Sequence, residues 1–387
     1  MLKNIIFSFL IGTYGTNIYT VNLDTATGAM TVQDKYTATN SSYAIAAGDA
    51  IYTFSESGAD SKVYSFKNGV RTEVPCPGDN PCFITISPDR KYIMTADYSG
   101  GSVSVYHLQN GTVEMQNIEV EIQGGPAGSG TTGMQNGTVG ERIQKLAFEG
   151  SGPVTHRQGS PHIHQVKILP DIPGVKGNWI LAPDLGSDKI RILRYNGNNG
   201  NNGARDNGAR ENNGAVGNPA PLEYISDIQF PEGSGPRHIE FDVQRKMMYC
   251  IAELSGKVFA FRMGASEGKP AFELVQSVVA DEYNTGGSGD IHLYPQGKYL
   301  YTSHRLQNDG LAVFAVNEDG TIEKKGYVHT NEHPRNFLIT PCGKYLIVAS
   351  KNTCTLQLFT IGQDGIPVAT DQVLNLSPDA PTSVVLR

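Results

Sequence analysis

The chain has 387 residues and a formal net charge of −7 without any basic block, which argues against nucleic acid as a partner. No apolar run approaches the roughly 20 residues of a membrane span. The five cysteines, an odd number at irregular spacing, point to reduced thiols rather than a disulfide framework, although Cys76 and Cys82 are close enough in sequence to pair. Forty-four glycines, many in turn pairs, separate short runs rich in aromatic and β-branched residues, and no stretch shows sustained helical spacing. The class read from this texture is all-β.

In chain order, the opening MLKNIIFSFLIG is apolar but brief, and no small-residue cleavage site follows it. Phe7 to Thr13 is expected to be a strand, so a retained N-terminus and a cytoplasmic setting are expected; a processed segment would make the protein periplasmic. A strand–turn–strand–turn–strand unit then recurs from Ser41, Pro81, Ile163, Pro236, Ser288 and Pro334. The clearest copies are PCFITISPDRKYIMTADYSGGSVSVY, PRHIEFDVQRKMMYCIAELSGKVFAF and PRNFLITPCGKYLIVASKNTCTLQLFTI. Spacings near 40 to 50 residues fit one four-stranded propeller blade per copy. A seventh copy is split between the ends: FSFLIGTYGTNIYTVNL lacks a first strand, and PTSVVLR, ending at Arg387, supplies one. Pairing of about Ser383 to Leu386 with Phe7 to Thr13 would close a seven-bladed β-propeller spanning residues 1–387 as a single domain without an open sheet edge. Two long intervals imply loop insertions, at about 122–160 and at 196–218, the second a low-complexity Asn/Gly-rich run.

The repeat constrains where function can sit. The first and second strands of a blade are antiparallel, so the start of the first and the end of the second share one rim of the channel. At second-strand ends stand Tyr14, Glu56, Tyr98, Leu185, Glu253, Arg305 and Lys351; at first-strand starts stand Cys82, His164, Arg237, Arg335 and Thr382. Such a mixture of arginines, acids, tyrosines and a histidine at equivalent repeat positions is the pattern of a binding or catalytic site. His162 and His164 lie one residue apart on a strand and so face the same way; with Asp184 or Glu253 they could hold a metal, but the neighbouring arginines favour an anionic ligand instead. Arg237 and Arg335 carry the fork that suits carboxylate or phosphate, or else form structural ion pairs. Glu253 is either an ion-pair partner or a general acid or base. Asp97, Asp184 and Asp188 follow second strands and are expected to cap turns, with Asp184 the one that could do more.

Several segments together carry a family resemblance: SPHIHQV from Ser160, APDLGSDKIRIL from Ala182, GSGPRHIEF from Gly233, IAELSGKV from Ile251, YTSHR from Tyr301 and HPRNFLITPCGKYLIVAS from His333. The chain resembles the seven-bladed lactonase family, which includes propeller-type 6-phosphogluconolactonases and the fungal 3-carboxy-cis,cis-muconate lactonizing enzyme. The resemblance implies an enzyme that opens or closes a lactone without metal or cofactor. It implies catalytic roles for His164, Arg237, Glu253 and Arg305, while His162, Arg335, Tyr14 and Tyr98 remain as substrate-binding candidates. The family's His-Pro-His reads His162-Ile163-His164 here, and its Ser-Asn-Arg reads Ser303-His304-Arg305. The expected substrate is a small anionic sugar lactone, 6-phosphogluconolactone first, with muconate cyclisation or a non-catalytic binding propeller as alternatives. Monomer and homo-oligomer are both compatible with the sequence.

Overall fold

The computed structural model describes residues 5–109, 137–197 and 220–387. Among these residues the strands form seven four-stranded antiparallel sheets arranged as the blades of a propeller. Blades 2 to 7 begin at Ala44, Pro81, Lys167, Pro236, Ser288 and Pro334. Blade 1 joins the two ends of the chain: Ala380–Leu386 is its innermost strand, followed outward by Ile6–Tyr14, Asn17–Asp24 and Met30–Thr37. Phe9 faces Leu386, Ile11 faces Val384 and Tyr14 faces Ala380. The closing strand thus has the expected partner and starts three residues earlier than the sequence suggested.

Local physics accounts for the repeat. The second strand of each blade is covered on both faces by its neighbours and reads as a continuous apolar run; Tyr345–Ser350 and Met247–Ala252 are buried at every position. Outer strands such as Lys269–Val279 are covered far less and carry polar residues. The tight turn before the second strand of blades 3, 5, 6 and 7 needs a residue in the left-handed region. Arg90, Lys246, Gly297 and Gly343 fill it with φ of 58°, 55°, 70° and 72°. The hydrophobic clusters lie between adjacent blades rather than in the channel. Trp179, Ile190 and Ile192 of blade 4 meet Ile239, Met248 and Phe259 of blade 5, and Phe9, Ile11 and Val384 of blade 1 meet Ile347 and Leu358 of blade 7. Side chains at the channel mouth can therefore vary without opening the core.

The 122–160 insertion needs correction. Thr138–Ala147 is the outer strand of blade 3, paired along Ser102–Gln109. Its half-buried positions carry Arg142 and Gln144 beside Leu146 while Ile143 is exposed, so no apolar alternation marks the strand in the sequence. A single helical turn, Thr155–Gln158, follows it. The remainder of that stretch before residue 137, and 198–218 of the second expected insertion, lie outside the described residues. All five cysteines are unbridged, and among the described residues no helix is long and apolar enough to cross a membrane.

Ring closure is reinforced by Asp379, immediately before the last strand. Its buried carboxylate accepts from the Thr16 amide at 2.7 Å, the Asn17 side-chain amide at 2.8 Å and the Tyr19 hydroxyl at 2.5 Å. Asp379→Ala strands these donors and is expected to cost about 2–4 kcal/mol, read as a lower urea midpoint. A midpoint matching the wild type would mean that strand pairing alone closes the ring.

Candidate active site

The expected rim residues do come together, and a regular defect in the first strands aims them. In blade 5, Pro236 pairs with Ala252 and His238 with Ile251, leaving Arg237 as a one-residue bulge. The same bulge holds Cys82 in blade 3, Arg335 in blade 7 and Thr382 in blade 1. Strict alternation would turn Arg237 to the same side as Ile239, into the core between blades. The bulge re-aims it, so Arg237 and His238 can both face the channel.

Glu253 is the centre of the cluster. Its Oε2 accepts from Arg237 Nε at 2.8 Å; its Oε1 accepts from Arg157 Nη2 at 2.7 Å and lies 3.4 Å from Arg305 Nη2. Burial alone would raise the carboxyl, but Arg305, Arg237 and Arg157 outweigh it and hold Glu253 down to about 2. It is a carboxylate throughout the physiological range. Arg237 also donates to the Gly289 carbonyl at 2.7 Å, and Arg305 to the carbonyls of Gly287 at 2.8 Å and Ser288 at 3.1 Å. These contacts fix both guanidinium planes. Gly289 must be glycine for this approach, because a Cβ there would lie 2.5 Å from Ser303 Oγ and 2.9 Å from the Arg335 carbonyl.

His164 sits beside this cluster, buried, with Nδ1 3.8 Å from Cys82 Sγ and its ring edge-on to Tyr98 and His238. Burial, then the charges of Arg237 and Arg335 with the neighbouring His238, holds it well below 6.5, so it is a neutral imidazole. His162 stacks on Tyr98 with centroids 4.3 Å apart, and its Nδ1 lies 2.8 Å from the Tyr98 carbonyl oxygen. Ile163 between them points into the core shared by blades 3 and 4. Asp184 is engaged elsewhere: it accepts from Arg191 at 2.7 Å and 3.1 Å and from the His162 amide at 2.8 Å.

Arg335 and Tyr14 form a second group on the same rim. Arg335 donates to the Tyr14 hydroxyl at 2.9 Å and lies over its ring, and Tyr14 donates to Glu56 at 2.9 Å. Ser42 also bonds Glu56, whose buried carboxyl is raised above its ordinary value by burial, against the pull of Arg335. Lys351 Nζ also lies over the Tyr14 ring, 5.4 Å from its centroid.

Arg157 was missed by the sequence reading. It comes from the one-turn helix inside the stretch read as an insertion, and its Nη2 reaches both Glu253 and, at 3.5 Å, the Tyr98 hydroxyl. Asp188 holds that turn in place as a turn-capping acid: it accepts from Gln158 at 2.8 Å and from the amides of Gly233 and Gly235 at 2.7 Å and 2.8 Å, just ahead of Arg237. No sequence motif marks Arg157; only recognition of Thr138–Ala147 as a strand would have placed it near the rim.

With this geometry in view, comparison with known proteins is decisive. The family model for the seven-bladed β-propeller lactonases matches residues 8–132 and 130–373. The chain belongs to the propeller lactonase family. It is 38% identical to the 6-phosphogluconolactonase of Serratia proteamaculans strain 568 over 75% of this chain and 69% of that protein. It is 28% identical to the 6-phosphogluconolactonase of Formosa agariphila over 73% of this chain and 67% of that protein. A solved structure from Bacteroides fragilis, provisionally assigned as a 6-phosphogluconolactonase, superposes with a TM-score of 0.79 at 32% identity, covering 99% of this chain and 98% of that one.

In this propeller lactonase the Ser-His-Arg variation leaves the rim untouched. His304 points into its own blade, with Nδ1 3.0 Å from Ser288 Oγ and Nε2 2.8 Å from Thr302 Oγ1. Deeper in the channel lies a charged chain that sequence reasoning did not single out, although His238 and Glu240, and Asp290 and His292, stand at alternate positions of two first strands, with Lys167 on a third. Asp290 lies 2.7 Å from His238 Nδ1 and 2.9 Å from His292 Nε2, and Glu240 lies 3.6 Å from His292 and 2.9 Å from Lys167. Lys167, His238, Asp290 and His292 line a cavity of about 330 Å³. Burial would lower His292, yet Asp290 and Glu240 carry it up to about 9. A group raised in the folded state stabilises fully below its unfolded value, near 6.5, and that stability is lost as pH rises through about 9. Stability is therefore expected to fall between about pH 6.5 and 9, and His292→Gln should flatten that slope in urea melts across the window. An unchanged slope in the variant would remove His292 as its source.

Proposed function

We propose that this protein is a metal-independent lactonase that hydrolyses an anionic sugar lactone, with 6-phosphogluconolactone the substrate of first choice. The observation that carries the reading is a buried carboxylate held by three guanidinium groups next to a neutral buried histidine at one channel mouth. In the hydrolysis, Arg237 and Arg305 bind the carbonyl oxygen and stabilise the oxyanion that forms when water attacks. Glu253 keeps these cations buried and aligned. His164 takes the proton of the attacking water: its Nε2 has no hydrogen-bond partner among the described residues, and the imidazole is unprotonated. The ring oxygen leaves as a hydroxyl once that proton is returned, and the product carboxylate remains on the arginines.

Glu253 suits the anchoring role better than that of base, because both its oxygens are taken, Oε2 by Arg237 and Oε1 by Arg157 with Arg305 at 3.4 Å. The names of the Serratia and Formosa relatives support the phosphorylated substrate. The five unbridged thiols support a cytoplasmic setting. The test is a coupled assay of 6-phosphogluconolactone hydrolysis above the spontaneous rate, with carboxymuconate cyclisation as the control reaction. Full activity in EDTA is expected. Turnover of the muconate alone would replace hydrolysis with cycloisomerisation, and loss of activity in EDTA would end the metal-independent account.

A further inference from the structure

A second cavity, of about 620 Å³, opens at the same rim between blades 5 and 6. Gly233 and Leu254 border it from blade 5, Thr285 and Leu306 from blade 6, and Arg157 joins it to Glu253. Its charged lining is of one sign. Lys257 and Arg157 face it together with His156, and none of its lining residues is a carboxylate. Lys257, half-buried at the start of the third strand of blade 5, has no ion-pair partner among the described residues. Arg157 spends Nη2 on Glu253 and Tyr98, while its Nε and Nη1 have no partner among the described residues. The nearby acid Asp281 is engaged with its own loop, accepting from the Thr285 amide at 3.0 Å, the Thr285 hydroxyl at 2.7 Å and the Tyr283 amide at 3.1 Å. Those bonds order the Thr285 wall of the cavity.

The deep channel cavity differs in kind. There Lys167 is matched by Glu240 and His292 by Asp290, so its charge is balanced within the protein. At the rim the single carboxylate of Glu253 is shared by three guanidinium groups and Lys257 has no acid of its own among the described residues, so positive charge is in excess. We propose that the rim cavity between blades 5 and 6 is a phosphate subsite, in which Lys257, Arg157 and His156 hold the phosphate end of a phosphorylated sugar lactone whose carbonyl lies on Arg237 and Arg305. This rests on the lactonase reading for the position of the carbonyl, and on the cavity itself for the phosphate. Arg157 is then the link between the halves: one nitrogen on Glu253, the remaining donors on the phosphate in the paired geometry a guanidinium favours. A sugar acid without the phosphate fills only the inner half.

The test is calorimetric titration of the full chain with 6-phosphogluconate and with gluconate at fixed ionic strength. The wild type is expected to bind the phosphorylated acid about tenfold or more tightly, as a charge-assisted contact of this kind gives. Lys257→Ala should lower that preference several-fold and Lys257→Glu should abolish it, with His156→Ala as a second, independent variant of smaller effect. Thermal melts confirm that each variant folds. Equal binding of the two acids by the wild type, or a preference that survives Lys257→Glu, overturns the subsite. Hydrolysis of sugar lactones without any phosphate preference would sink the subsite and leave the lactonase reading standing. A phosphate preference abolished by Lys257→Glu in a protein that hydrolyses no lactone would do the reverse.

Discussion

His164→Gln is expected to lower kcat by about 10²–10⁴, the range for loss of a general base, with little change in KM and a folded protein. The glutamine keeps a polar group beside Cys82 and Tyr98 but cannot accept the proton of water. The pH profile separates this role from a structural one. His164 is neutral well below pH 6.5 in the free enzyme because burial and the arginine charges oppose its protonation. The base form is therefore present at neutral pH, and kcat/KM should stay flat on acidification until the pH falls through that depressed value. Bound substrate neutralises part of the arginine field, so the acid limb of kcat should lie at higher pH than that of kcat/KM. A His164→Gln protein with kcat close to the wild type would move the base to another residue.

Arg237→Ala should have the largest combined effect on activity and stability. Arg237 is 2% exposed and shares Glu253 Oε2 and the Gly289 carbonyl. Its loss removes an oxyanion donor, worth about 10²–10³ in kcat/KM. It also strips a buried carboxylate of its closest cation on that oxygen, at a cost of about 3–5 kcal/mol when such a pair is broken from one side. Glu253→Gln breaks the same pair from the other side and leaves Arg157, Arg237 and Arg305 facing one another without the anion. The double variant removes both charges of the pair, so its destabilisation should fall short of the sum by about 0.5–3 kcal/mol. Urea unfolding of the four proteins gives this coupling. Additive costs would mean that Glu253 does not hold Arg237 in place.

The architecture was legible because blades 3, 5, 6 and 7 repeat the same turn chemistry. The Gly-Lys and Arg-Lys pairs mark left-handed turn residues, and the antiparallel first and second strands fix which residues share a rim. That is why His164, Arg237, Glu253, Arg305 and Arg335 could be grouped although they are scattered over blades 4 to 7. Closure was legible because PTSVVLR and FSFLIGTY are each incomplete without the other. Two features were not. The bulge after Pro236 or Pro334 leaves no mark on a strand pattern, yet it decides which way Arg237 and Arg335 point. Arg157 was hidden because Thr138–Ala147 is an outer strand, where half-exposed charged residues blur the alternation that identifies inner strands. Its partners lie far away in sequence, at Tyr98 and Glu253, and only the folded ring brings them together.

A sugar lactone opened at the mouth formed by Glu253 and its arginines leaves its product at that mouth, and this location can be observed. A crystal structure of the protein with the hydrolysis product 6-phosphogluconate tests it most directly. The product carboxylate is expected on Arg237 and Arg305, within hydrogen-bond reach of both, with His164 Nε2 facing the carboxyl carbon. Product bound at the opposite end of the channel, or on the outer strands with the Glu253 cluster empty, would contradict it.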